Sequence, residues 1–203
     1  IFSGRVLLAD ALRLELRHVG TLSPAGRQVA SDSSGRIWGR LEPKRLAALD
    51  PAQDRIVARI GLPRGPDGLL LTAEGKAYVT HSSPTREGFL ISVLDTRAGT
   101  LLRELTGLAG RPVDLAQAAG FVYVAALGIL RSDPLEAHLY RIDAKTDQLR
   151  EVLNSSDPGY SWGLAAAGGR LYLGYLPLRD DPRVGRVEAR DARTLELLGK
   201  RED

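Results

Sequence analysis

Two residue markers recur along this chain at closely matched spacing, and that recurrence restricts the fold more than any other feature. An aspartate closes a short apolar run at Asp10 (VLLAD), Asp50 (LAALD), Asp95 (ISVLD), Asp143 (LYRID) and Asp191 (VEARD). A turn glycine precedes a run holding an aromatic at Gly35 (SGRIW), Gly75 (EGKAYV), Gly120 (AGFVYV) and Gly169 (GGRLYL). Successive aspartates lie 40, 45, 48 and 48 residues apart, and successive glycines 40, 45 and 49. Periods of this size mark stacked repeats, each of which buries its apolar face only against a neighbour.

The two markers together locate the length variation. From aspartate to the next glycine the distance is 25, 25, 25 and 26 residues, whereas from glycine to the next aspartate it is 15, 20, 23 and 22. One repeat shows why. Residues 69–72 read as a short strand a, and Ala73-Glu74-Gly75 as a tight turn in which glycine supplies a positive φ. Residues 76–80 alternate as strand b, 89–94 form strand c, and 101–105 form strand d. The aspartate closes the c–d turn by accepting from backbone N–H groups ahead of it, so all five are expected to be structural. The constant stretch runs from that turn through strand d to the a–b turn, and the b–c loop absorbs the insertions.

Four short antiparallel strands per repeat of this length predict an all-β fold, a β-propeller with about 4.5 blades. The boundaries are a half blade over 1–22 and blades over 23–62, 63–107, 108–155 and 156–203, in a single domain spanning 1–203. Residues 4–19 read as strands c and d alone. A larger ring of six or seven blades is therefore expected, with a compact five-bladed ring as the alternative. Strand alternation puts the b–c and d–a loops on one face and both hairpin turns on the other. All substantial length variation falls on the first, where binding is carried by loops on a rigid scaffold.

The segments GKAYVT (75–80) and ISVLDTRAGTLLREL (91–105) resemble the YVTN-type β-propeller repeat, which is related to lactonase-like and NHL-like propellers. Weaker copies are KRLAALDPAQDRIVARI (44–60), AHLYRIDAKTDQLREVL (137–153) and GRVEARDARTLELLGK (185–200). The resemblance implies a fold and carries no catalytic set. It favours export to the periplasm or beyond the cell. The chain opens at Ile1 without an initiator methionine, which is expected of a processed protein or of a piece of a longer one.

Composition narrows the function classes. The formal net charge is +3, with 28 basic and 25 acidic residues spread along the 203-residue chain. No Lys/Arg cluster interleaves with aromatics, so no nucleic-acid partner is expected. There is no cysteine, which excludes disulfides and thiolate metal sites. No apolar run reaches membrane-span length. Methionine is absent and Asn154 is the one asparagine, a bias that suits a heat-adapted source and equally a GC-rich genome.

Few residues invite a chemical role. His81 opens the loop HSSPTREG and reads as a solvated loop histidine with a minor claim to act as a base. His18, at the end of a strand d, and His138, at the start of a strand c, read as exposed and structural respectively. Acidic loop residues, Asp114 among them, are matched by neighbouring arginines, so surface pairing is the plain expectation. The most distinctive loop is DPGYSWG, whose Tyr160 and Trp162 form a candidate stacking wall, with Tyr175 and Arg179 in the next loop on that face. Packing between blades is the competing role for the two aromatics. His81 and Arg111 complete the candidate ligand-binding set; no catalytic residue, metal site or cofactor is expected.

The reading that results is a non-catalytic scaffold that binds a protein or small-molecule ligand on the loop face. The alternative is a lactonase-like hydrolase or lyase with a metal or polar site in a central channel.

Overall fold

The computed structural model describes residues 4–10, 15–22, 29–81, 83–85, 88–128, 137–155, 159–177 and 185–202, with side chains for 29–81, 83–85, 88–128, 137–154, 163–175 and 185–201. Among them there are eighteen strands and no helix. β1 (Gly4–Asp10) and β2 (Glu15–Leu22) form a two-stranded antiparallel sheet. Four four-stranded sheets follow in chain order. The first holds β3 (Ala30–Ser31), β4 (Ile37–Glu42), β5 (Arg45–Asp50) and β6 (Arg55–Gly61). The second holds β7 (Pro66–Leu71), β8 (Lys76–His81), β9 (Phe89–Asp95) and β10 (Thr100–Leu108). The third holds β11 (Arg111–Ala118), β12 (Phe121–Leu127), β13 (Ala137–Asp143) and β14 (Leu149–Ser155). The fourth holds β15 (Gly159–Ala167), β16 (Arg170–Pro177), β17 (Arg186–Asp191) and β18 (Leu197–Glu202).

The sequence markers are the hinges of these sheets. Asp50, Asp95, Asp143 and Asp191 each accept from the N–H groups two and three residues ahead, at 2.8–3.2 Å. These bonds hold the carboxyls of Asp95, Asp143 and Asp191 below the usual carboxylate range. Asp10 ends β1, and its turn lies outside the described residues. Gly75 takes φ +87°, a conformation that calls for glycine. Gly35, Gly120 and Gly169 share the left-handed conformation.

The two markers also meet. The N–H following the aspartate donates to the turn glycine's carbonyl in three sheets: Thr96 to Gly75, Ala144 to Gly120 and Ala192 to Gly169, at 2.9–3.1 Å. Both hairpins of a sheet are thereby pinned together on one side. The opposite side takes the length changes: β4 and β5 are joined by Pro43 and Lys44 alone, while 128–136 join β12 to β13 and 178–185 join β16 to β17.

The chain divides into two compact units, Ile1–Ser83 with Ile91–Leu105, and Pro84–Leu90 with Thr106–Asp203. In the first, the core between sheets is Trp38, Leu46, Ala48 and Ile60 against Leu69, Ala77, Val79 and Leu94. Trp38 Nε1 donates to Asp32 Oδ2 at 2.8 Å, so the largest core side chain keeps its polar atom satisfied. In the second, Ala116, Tyr123 and Leu139 pack against Leu171, Leu173, Ala192 and Leu195. The Tyr123 hydroxyl donates to the Ala192 carbonyl of the following sheet. The aromatic three places after the turn glycine is therefore the side chain by which one sheet seats on the next.

Candidate functional site

The candidate residues that the structure describes lie at or near the loop ends of their sheets, in sharply different surroundings. His81 is the last residue of β8 and fully buried, not a solvated loop residue. The strand runs one residue further than its sequence suggests, and the imidazole is closed over by the sheet. Its Nδ1 lies 3.1 Å from the Gly65 carbonyl and its Nε2 2.9 Å from the Ser92 hydroxyl. A carbonyl only accepts, so Nδ1 carries the proton and Nε2 of the neutral ring accepts from Ser92. Burial lowers the His81 pKa below the ordinary histidine value. The ring ties strand c to the link between β6 and β7, and has no open face for a ligand.

Tyr175 occupies the matching position in β16, six residues after its turn glycine, and its environment is charged. Its hydroxyl lies 3.4 Å from Glu188 Oε2, and the Arg186 guanidinium sits 4.3 Å from its ring centroid. Glu188 is 6% exposed and takes Arg190 Nε and Nη2 at 3.1 and 2.8 Å on one oxygen, with Arg186 Nε 3.5 Å from the other. Burial, reinforced by the Glu188 charge, raises the Tyr175 pKa. Two arginines thus flank one buried carboxylate beside a half-buried aromatic ring, with Arg186 over its face. Arg186, Glu188 and Arg190 were not singled out from the sequence, although alternate charges in GRVEARD, where other copies of strand c are apolar, were there to be read.

Residues 159–163 of the DPGYSWG segment run beside the strand that carries Tyr175. Tyr160 and Trp162 lie in β15, and the register pairs Tyr160 with Leu176 and Ser161 with Tyr175. The register shifts between Ser161 and Gly163, which makes Trp162 the extra residue of a β-bulge; the preceding blades carry the same shift at Pro66/Gly68 and Pro112/Asp114. The side chains of Tyr160 and Trp162, and Arg179 altogether, lie outside the described residues. Arg111 opens β11 with an exposed side chain, across from Leu127.

Other expectations are corrected or completed. His18 lies within β2, paired with Leu7, rather than at a strand end; its side chain is outside the described residues. His138 is buried, 2.9 Å from Glu151 and stacked on Tyr140, as a structural residue would be. Asp114 is not part of a surface ion pair. Its Oδ1 accepts from the N–H of Leu115 and its Oδ2 from that of Leu164, both at 2.8 Å, joining β11 to β15 of the next sheet. On the hairpin side of the third sheet, an open cleft of about 180 Å³ is lined by Phe121, Arg141, Asp143, Gln148 and Arg150. Arg141 is already committed there, stacked on Phe121 at 4.5 Å and donating to the Arg193 carbonyl. Among the described residues no three His, Cys, Asp or Glu are grouped where they could hold a metal.

No protein-family profile matches the sequence, and comparison with curated proteins finds no match. Solved structures do resemble it. Hydrazine synthase of Kuenenia stuttgartiensis superposes with TM-score 0.68 at 14% identity, over 93% of this chain and 57% of that one. A chain of the mitotic checkpoint complex gives 0.71 at 12%, over 98% and 58%. The dihydro-heme d1 dehydrogenase NirN in complex with DHE gives 0.66 at 16%, over 96% and 41%. The chain thus spans less than two thirds of each of these chains, which are β-propellers. At such identities the likeness speaks to fold alone: this is an all-β propeller of about four four-stranded blades.

Proposed function

We propose that the chain is a non-catalytic binding propeller whose ligand, a protein segment or a small molecule, docks on the loop side of the blade β15–β18. The observation that carries this is the Tyr175 group: a half-buried ring held under Arg186, over a buried Glu188 clamped by Arg190. These side chains are fixed before any ligand arrives, which lowers the ordering cost of binding. An aromatic ring flanked by guanidinium groups selects planar or anionic groups. Tyr160, the bulged Trp162 and Arg179 adjoin this group in sequence or register, and Arg111 lies at the loop end of the preceding blade. His81 serves instead as a buried clamp. The GKAYVT and ISVLDTRAGT segments support assigning the repeat to the YVTN type.

Tryptophan fluorescence offers a direct test, since the chain has two tryptophans and Trp38 is fully buried. In a Trp38→Phe background, screening peptide, oligosaccharide and organic-acid libraries should give ligands that perturb Trp162 emission. Their binding should fall at least tenfold in Tyr175→Ala and in Arg186→Ala. Ligands indifferent to both substitutions would sink the proposal. The enzyme alternative draws on the names of two structural neighbours, a synthase and a dehydrogenase. It predicts a rise in melting temperature with a divalent metal, because a ligand bound only by the folded state stabilises it.

A further inference from the structure

The same three positions recur on one face of successive blades, and their burial differs in the last. In the first four-stranded blade Ala30, Trp38 and Leu46 occupy them, and Trp38 and Leu46 join the core with Leu69 and Val79 of the following blade. In the third they are Ala116, Tyr123 and Leu139, which pack on Leu171 and Leu173 of β16. In β15–β18 the matching residues are Tyr172, three places after the turn glycine, Val187, four before the aspartate, and Ala165, which pairs across the ladder with Tyr172 as Ala30 does with Trp38 and Ala116 with Tyr123. Leu139 is 5% exposed and Tyr123 fully buried, whereas Val187 is 49% exposed, Ala165 is exposed and Tyr172 is only half-buried. The face keeps the pattern of a packed one, small residue, aromatic and aliphatic, and is open to water. Exposed apolar faces of this kind mark an interaction surface.

We propose that the Ala165–Tyr172–Val187 face is a docking surface for one further four-stranded blade of this repeat type, supplied by the same polypeptide. The partner's chemistry is read from the interface already formed within the second unit. It must present two aliphatic residues at the second and fourth places of its strand b, as Leu171 and Leu173 do. It must also offer a carbonyl just after its turn aspartate, as Ala192 does to the Tyr123 hydroxyl, so that the Tyr172 hydroxyl has an acceptor. Supply in cis follows the way β15–β18 reaches β11–β14, through the short link between Ser155 and Gly159. It also agrees with a chain that spans 57–58% of two propeller chains it matches.

The test compares the 203-residue chain with the same chain extended after Asp203 by a second copy of residues 156–203. In the unextended chain, Tyr172→Ala should lower the melting temperature far less than Tyr123→Ala, because water already wets the Tyr172 face. The extension should raise the melting temperature and slow amide exchange at 171–174 at least tenfold, and Tyr172→Ala should cancel both gains. Changing the two leucines of the appended copy that correspond to Leu171 and Leu173 to aspartate should do the same. Equal losses from Tyr172→Ala and Tyr123→Ala in the unextended chain would show the face to be covered already and overturn the proposal. An appended copy that stays protease-sensitive or leaves exchange unchanged counts against it equally. A concentration-dependent dimer of the unextended chain, abolished by Val187→Arg, would assign the face to a second copy instead.

Discussion

The loop ends of β7–β10 and β15–β18 are built on the same framework and filled by opposite chemistry. His81 and Tyr175 each stand six residues after the turn glycine, and their partners Ser92 and Glu188 each stand three residues before the turn aspartate. In the earlier blade a neutral histidine and a serine close the end completely. In the later one the same two slots hold an aromatic ring and a carboxylate, with two arginines brought in from β17. The third blade gives a different answer again: Tyr140 takes the Ser92 position, and its hydroxyl accepts from the Ala109 N–H in the link preceding β11. Strand c or its neighbour thus carries a polar contact at this level in three blades, whereas the first blade has Leu41 and Ala47 in the two slots. Whether the rest of the slot is sealed or half-buried and charged is left to the local sequence, and the charged end is the one proposed above for a ligand.

That contrast can be broken most severely at Glu188. Glu188→Ala removes the carboxylate shared by two arginines that are 22% and 19% exposed, and should cost about 3 kcal/mol in chemical denaturation. A cost below 1 kcal/mol would mean that the charged end is no more committed than a surface ion pair. Next in size, His81→Ala leaves the Gly65 carbonyl and Ser92 without their partner and should cost about 2 kcal/mol. His81→Leu combined with Ser92→Ala should cost less than His81→Ala, because no polar side chain is then left unpaired.

The sealed end also carries its own pH dependence. The folded His81 pKa is below 6.5, so between the two values the unfolded chain binds the proton and the folded chain does not. This contribution is full above pH 6.5 and is lost as pH falls from there toward the folded pKa. His81→Gln should flatten the slope of stability below pH 6.5; an unchanged slope would place the titration elsewhere. Asp32 titrates in a lower window. Burial pushes its pKa up, but the bonds from Ser34, Trp38 and Arg36 prevail and bring it to about 2. Its contribution is complete above about pH 4 and disappears as pH falls through 2, and Asp32→Asn should remove that acid limb. The smallest expected effect is Tyr175→Phe. A hydroxyl 3.4 Å from Glu188 is worth at most about 0.5 kcal/mol, so Tyr175→Phe should leave stability nearly unchanged.

The scaffold was legible in the sequence because its hinges are local. An aspartate bonding two N–H groups ahead, and a glycine with positive φ, require nothing beyond their own turn, and together they set strand count and order. His81 was misjudged for the converse reason. Its burial depends on Gly65, sixteen residues earlier, and on Ser92 across the ladder, neither of which belongs to its segment. Asp114 was taken for a surface acid because its second partner, the Leu164 N–H, is fifty residues away. Trp38 and Tyr123 stood out as a recurring aromatic, but their role needs the sheet that follows each of them. Strand-end chemistry is fixed by neighbours in space, and the repeat locates those neighbours without naming their side chains.

Asp114 acts on one N–H of its own strand and one of the first strand in the next blade, with no ladder between the two sheets at that point. A single carboxylate resists sliding of one inner strand past the other, since a shift of one residue would lose the Leu164 bond. It resists tilting much less, because both bonds pivot about the same group. The joint therefore behaves like a pin in a folding fan: it sets height and leaves the opening angle to the side chains packed further out.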